Sequence, residues 1–121
     1  MIKARNKKKI EKPFWSSHSL NFEVAPFEYD RTVQRFRIGT CEGIYTTAGR
    51  SYVIIAITNN QPGNGHLNDV LEWFENSCRR DDYTLRIAEF HNMRFKQHLI
   101  DKRGFKPYGF NDVEKKFERV P

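Results

Sequence analysis

Between an apolar run and a stretch with helical periodicity, the chain reads Asn60-Gln61-Pro62-Gly63-Asn64-Gly65-His66-Leu67. A glycine-rich loop that opens a helix leaves several backbone N–H groups without partners, and the helix dipole adds partial positive charge there. Phosphate is the usual guest of such a junction. Gly63 and Gly65 lack Cβ, so the backbone can come close to a ligand and take positive φ. Asn60 to Leu67 is therefore a candidate pyrophosphate cradle, with Gly63, Asn64, Gly65, His66 and Leu67 as N–H donors. The plainer alternative is a strand-to-helix turn that uses glycine for geometry alone, and a loose glycine pattern does not decide between them. The loop is not the P-loop of NTPases, because His66-Leu67 stand where Lys-Ser/Thr is required. It is not the dinucleotide-binding fingerprint either, because no third glycine reaches the helix position.

Other groups with chemical potential are sparse. His66, His91 and His98 show no ligand spacing with known mechanics, so no metal is expected. An imidazole suits proton transfer near neutral pH, but His98 is expected to face solvent on its helix. Cys41 and Cys78 are the only cysteines. Neither sits in an activating pattern, and without a secretion signal they suggest free thiols in a reducing compartment.

The elements that would hold the loop are legible. Tyr52 to Ile57 is rich in β-branched residues and ends in Thr58-Asn59-Asn60, the mark of a buried strand. Leu67, Val70, Leu71, Phe74 and Cys78 fall at i, i+3, i+4, i+7 and i+11, one stripe of an α-helix. Asp81-Asp82 close that helix, and Thr84 to Phe90 reads as the next strand. Upstream, Thr32 to Gly39 and Gly43 to Thr47 read as strands, with Ala48-Gly49-Arg50 a turn. Ser19 to Val24 is a candidate first strand in an irregular aromatic segment, Glu11 to Phe27. After Gly104, Phe105 to Tyr108 reads as a strand and Gly109 to Asp112 as a turn; Val113 to Val120 fits a strand or a short helix. Short turns between the early strands imply an antiparallel meander, and strand–helix–strand implies a parallel pair. The expected fold class is α/β in the α+β sense, a mixed sheet with helices packed on it.

Asn92 to Phe105, NMRFKQHLIDKRGF, resembles the last helix of the GNAT superfamily of N-acetyltransferases, where an Asn opens a helix that closes in Gly-Phe. Asn60-Gln61-Pro62-Gly63-Asn64-Gly65 resembles that superfamily's acetyl-CoA signature, [Gln/Arg]-x-x-Gly-x-[Gly/Ala]. The element order agrees from about Val33 to the C-terminus. Three departures stand out. Asn60 replaces the first Gln or Arg, the Asn92-to-Gly104 span is one residue longer than usual, and Ile100 stands where many members carry a Tyr as general acid.

The resemblance implies acetyl-CoA as cosubstrate and an amine as acceptor. Acetyl transfer needs a held thioester, a route for the amine proton, a donor for the oxyanion and an acid for the leaving thiolate. By resemblance, Ile57, Thr58 and Asn59 pair with the pantetheine arm and Asn92 hydrogen-bonds it, although Asn92 also reads as a plain N-cap. Arg94 and Lys96 are candidates for a CoA phosphate. Glu89, near the end of its strand beside an opening parallel pair, is the candidate base. Tyr108, the only Tyr after the Asn-led helix, is the candidate substitute acid.

Composition bounds the alternatives. The chain has 121 residues and 38% hydrophobic residues, enough for one small domain. Mean hydropathy is −0.77, and no apolar run approaches the ~20 residues of a membrane span. The net charge is +6, and residues 1–12 hold six basic side chains against Glu11 alone. The expected organisation is a basic leader, 1–12, and one GNAT-like domain, 13–121, in the cytoplasm. The function expected is N-acetyl transfer from acetyl-CoA to an amine, small or protein-borne. The rivals are a catalytically weak acyl-CoA-binding or interaction module, and a nucleic-acid binder using the leader with Phe14 and Trp15 stacking on bases. Helices missing from the N-terminal region would leave surface that a second copy of the chain could cover.

Overall fold

The computed structural model describes residues 21–88, 92–109 and 111–117. The leader, Phe14, Trp15, Glu89, Phe90 and His91 lie outside the described residues. Among the described residues seven strands form one sheet: β1 Glu23–Pro26, β2 Gln34–Ile38, β3 Cys41–Thr47, β4 Ser51–Asn59, β5 Thr84–Ile87, β6 Lys106–Tyr108 and β7 Asp112–Lys116. Their order is β1-β2-β3-β4-β5-β7-β6. Only β4 and β5 run parallel; every other neighbour is antiparallel. The meander, the parallel pair and the mixed sheet expected from the sequence are all present. The stretch from Val113 resolves as a strand, and it inserts between β5 and β6 instead of adding at the edge. Val113 is buried and pairs with Ile87 on one side and Pro107 on the other, and pairing with a strand on each side selects a strand over a helix.

Two helices are described: α1 His66–Asp81 and α2 Met93–Arg103. The stripe of α1 is the one the sequence shows. Val70, Leu71, Phe74 and Cys78 are buried against Phe36, Ile38, Cys41 and Ile54 of the sheet. Phe74 is the centre of an aromatic nest, its ring 5.1 Å from Tyr45, 5.2 Å from Phe36 and 6.0 Å from Tyr52. Leu99 joins the same core from α2, with Leu85, Ile87, Phe105 and Val113. Both helices therefore cover one face of the sheet. An ionic staple ties them together: Arg103 reaches Glu75 at 2.9 Å and Asn68 at 2.9 Å. Lys115 of β7 donates to the Arg103 carbonyl at 2.7 Å, capping the end of α2. No described helix is long and apolar enough to cross a membrane.

One irregularity shapes everything downstream. Tyr45 pairs with Ile54 but Ile44 pairs with Ala56, so Ile55 is an extra residue in β4, a β-bulge. Before it, Tyr52 and Ile54 face α1; after it, Ile57 and Asn59 take that face. Gly43 sits opposite Ile57, and a Cβ there would lie 2.0 Å from the Ala56 carbonyl and 2.7 Å from the Phe36 ring. Only glycine lets the bulged strand come this close. On the other side, β5 accompanies β4 only from Ser51 to Ile54, the Ala88 N–H closing that ladder on the Ile54 carbonyl at 2.9 Å. Beyond the bulge, Ala56 to Asn59 pair with β3 alone among the described residues, and the sheet opens.

Candidate functional site

The opening is a cleft of about 810 Å³. The free half of β4 gives it Ile57, Thr58 and Asn59, and the loop gives Pro62, Gly63 and Gly65. The first turns of α1 give Leu67, Asn68 and Leu71, and α2 gives Asn92, Phe95 and His98. Glycine is required at the loop: Gly63 and Gly65 hold φ of 92° and 88°, where a side chain is strained. Among the described residues no protein acceptor takes the N–H groups of Gly63, Gly65, Leu67 and Asn68; the first intrahelical bond is Asp69 N–H to the Gly65 carbonyl, 3.1 Å. Unpaired N–H groups at a helix start make a site for anionic oxygen.

Most of the residues read from the sequence as cofactor contacts gather here: Ile57, Thr58, Asn59, Gly63, Gly65, Leu67 and Asn92 all line the cleft. Asn60, Asn64 and His66 do not. They hold the loop from behind. The His66 N–H, expected to be free for phosphate, is donated to Asn64 Oδ1 at 3.0 Å. The Asn60 N–H goes to the Thr40 carbonyl at 3.0 Å. Asn92 fills its N-cap role, Oδ1 accepting from the Phe95 N–H at 3.0 Å, and also borders the cleft. Lys96 turns to Asn111, 3.5 Å away, and neither it nor Arg94 is among the cleft's lining residues.

The proton-transfer candidates fare differently. Glu89 lies outside the described residues, one residue past Ala88. Tyr108 is not brought to the cleft. It pairs with Asp112 on the outermost strand, which turns it to the face opposite the helices, and the Arg86 guanidinium stacks on its ring at 4.1 Å. Ile100 is half-buried against the core. Pro62, inside the candidate cradle, lines the cleft as well, and Asn68, Leu71, Phe95 and His98 do so without having been assigned to it from sequence. The signal for the last two was available: Asn92, Phe95 and His98 recur every three residues, which aligns them on one side of a helix. His98 is the only ionisable side chain among the described lining residues.

Burial pushes the Cys41 and Cys78 thiols from the ordinary 9.0 up to about 12, so both stay protonated at neutral pH and neither is a nucleophile. Among the described residues no three His, Cys, Asp or Glu side chains gather as a metal site.

No protein-family model and no curated protein matches the chain. Among solved structures, YhhK from E. coli, a candidate N-acetyltransferase bound to coenzyme A, aligns over 96% of this chain and 92% of its own at a TM-score of 0.58. The two chains share a fold. At 12% identity the likeness is one of fold alone.

Proposed function

We propose that the chain is an acetyl-CoA-dependent N-acetyltransferase of the GNAT superfamily, acting on an amine. The observation that carries this reading is the meeting, in one cleft, of a helix start and a strand edge whose N–H groups and free side have no partner among the described residues. Such N–H groups suit a pyrophosphate, and an unpaired strand edge suits an amide-bearing arm laid beside it as an extra strand. Gly63, Gly65, Leu67 and Asn68 would hold the pyrophosphate. Ile57, Thr58 and Asn59, with Asn92, would hold the pantetheine arm. The neighbour of like fold is bound to coenzyme A, which supports the same class of ligand here. A cytoplasmic setting accords with two free, buried thiols.

Acetyl-CoA would supply the thioester. The neutral amine nitrogen forms a bond to the acetyl carbon, the C–S bond breaks, the amine gives up a proton and the thiolate gains one. Glu89, one residue past Ala88 in the sequence, is the proposed base. His98 is the proposed proton donor in place of Ile100, being the ionisable group on the cleft wall. The test is thiol release from acetyl-CoA with a panel of small amines and N-terminal peptides. Turnover that drops at least ~100-fold in Glu89→Gln would support the reading, at the scale of one general base. No turnover with any amine, by protein that binds acetyl-CoA, would favour a second reading. That reading is an acyl-CoA-binding module, and the replacement of the usual acid by half-buried Ile100 is what favours it.

A further inference from the structure

The loop does not hold its shape by itself alone. The turn between β2 and β3 holds it, through a residue far away in sequence. We infer that Thr40 and His66 form a clasp that presets the Asn59–His66 loop for its anionic ligand; only the identity of that ligand, coenzyme A, rests on the function proposed above.

The bonds converge on Thr40. Its N–H donates to His66 Nδ1 at 3.0 Å. Its hydroxyl donates to Asn59 Oδ1 at 2.7 Å and accepts from Asn64 Nδ2 at 2.7 Å. Its carbonyl accepts the Asn60 N–H at 3.0 Å. Asn59 Oδ1 also takes the Gln61 N–H at 3.2 Å, and Asn64 Oδ1 takes the His66 N–H at 3.0 Å. The N–H groups of Asn60, Gln61 and His66 are thus spent behind the loop, and those of Gly63, Gly65, Leu67 and Asn68 are left to the cleft. Because the Thr40 N–H points at it, Nδ1 is the acceptor nitrogen of the His66 ring.

The turn is built to receive this ring. A Cβ on Gly39 would fall 2.4 Å from His66 Nδ1, so the imidazole lies directly on the backbone where only glycine leaves room. Arg37 Nε fixes the same turn from its other side, donating to the Gly39 carbonyl at 2.9 Å. Every other partner in the clasp is a neutral side chain or a backbone group. The chemical meaning is preorganisation: the loop is ordered before ligand arrives, so less of the binding free energy is lost to ordering it. Thr40 and His66 are positioning residues, acting through the loop and touching no ligand.

Two readouts test the clasp. Amide hydrogen exchange, without ligand, reads the loop; titration with coenzyme A reads the site. Thr40→Val and His66→Leu should speed exchange at Asn60, Gln61 and His66 by about tenfold or more, the scale of one or two lost hydrogen bonds. Exchange at Leu85 and Val113 in the core should stay slow. Coenzyme A affinity should fall by a similar factor. Thr40→Ser keeps the hydroxyl, and His66→Asn offers an oxygen where Nδ1 stood, so both should restore exchange and affinity. Loop exchange unchanged in Thr40→Val and His66→Leu would overturn the clasp, whatever the ligand. Faster exchange with no coenzyme A binding even by the wild type would uphold the clasp and remove the coenzyme reading instead.

Discussion

The two halves of β4 differ in what surrounds them. From Ser51 to Ile54 the strand has β3 on one side and β5 on the other, and Ile54 is fully buried. From Ala56 to Asn59 it has β3 alone among the described residues, and its side chains alternate between exposed and half-buried. One bulged residue, Ile55, separates them. The first half is cohesion: paired on both edges, under Phe74 and the aromatic nest. The second half gives up pairing on one edge and leaves a cleft beside a helix start. An unpaired strand edge inside a domain is a liability for stability and aggregation. Its cost is carried by the half that is paired twice.

That contrast can be broken from either end. The largest effect belongs to the closed half: Phe74→Ala should lower stability by about 3–5 kcal/mol, seen as an early denaturant midpoint. Ligand affinity per folded molecule should change far less. At the boundary, Gly43→Ala forces a methyl into the Ala56 carbonyl and the Phe36 ring. It should cost about 1–3 kcal/mol, and it should also weaken coenzyme A, because it displaces the strand whose free edge lines the cleft. At the open end, Asn92→Ala removes the N-cap of α2 and should cost about 1 kcal/mol. If affinity falls more than stability does, Asn92 serves the ligand as well as the helix.

The smallest effect is an expected silence. Cys41 and Cys78 lie under the closed sheet with thiols pushed up to about 12, so alkylating reagent at pH 8 should leave the folded protein unmodified. The sign of the linked stability follows. A thiol held neutral by the fold adds stability below the ordinary 9.0, and that contribution is lost as pH rises from 9.0 toward about 12. Thermal melts should therefore decline across that window, and Cys41→Ala with Cys78→Ala should flatten the decline.

Local signals were legible in the sequence because they are written in single segments. The α1 stripe, the β-branched run of β4, the glycine loop and the Asn92 cap each depend on neighbours within a few residues. What escaped depends on distant pairing. The bulge at Ile55 is silent because every residue from Tyr52 to Ile57 is apolar, so an extra one leaves no break in the pattern. The insertion of β7 between β5 and β6 is decided by registers such as Ile87 with Val113. Tyr108 was singled out as the only Tyr after α2, yet its pairing with Asp112 sends it to the far face. Thr40 carries no local signal, because its partners lie 19 to 26 positions away.

The central claim is that the open half of β4 and the α1 start form one coenzyme site. Calorimetric titration with acetyl-CoA and with CoA, wild type beside Gly65→Glu, tests it most directly. The variant sets a carboxylate among the N–H groups that would meet the pyrophosphate; the position is open, but its φ of 88° strains any side chain, so Gly65→Ala beside it gives the effect of that strain alone. Near one-to-one binding by the wild type, lost in a folded Gly65→Glu variant, is the predicted result. No binding to folded wild type at millimolar acetyl-CoA, or equal binding by the variant, would contradict it and leave the loop a turn between a strand and a helix.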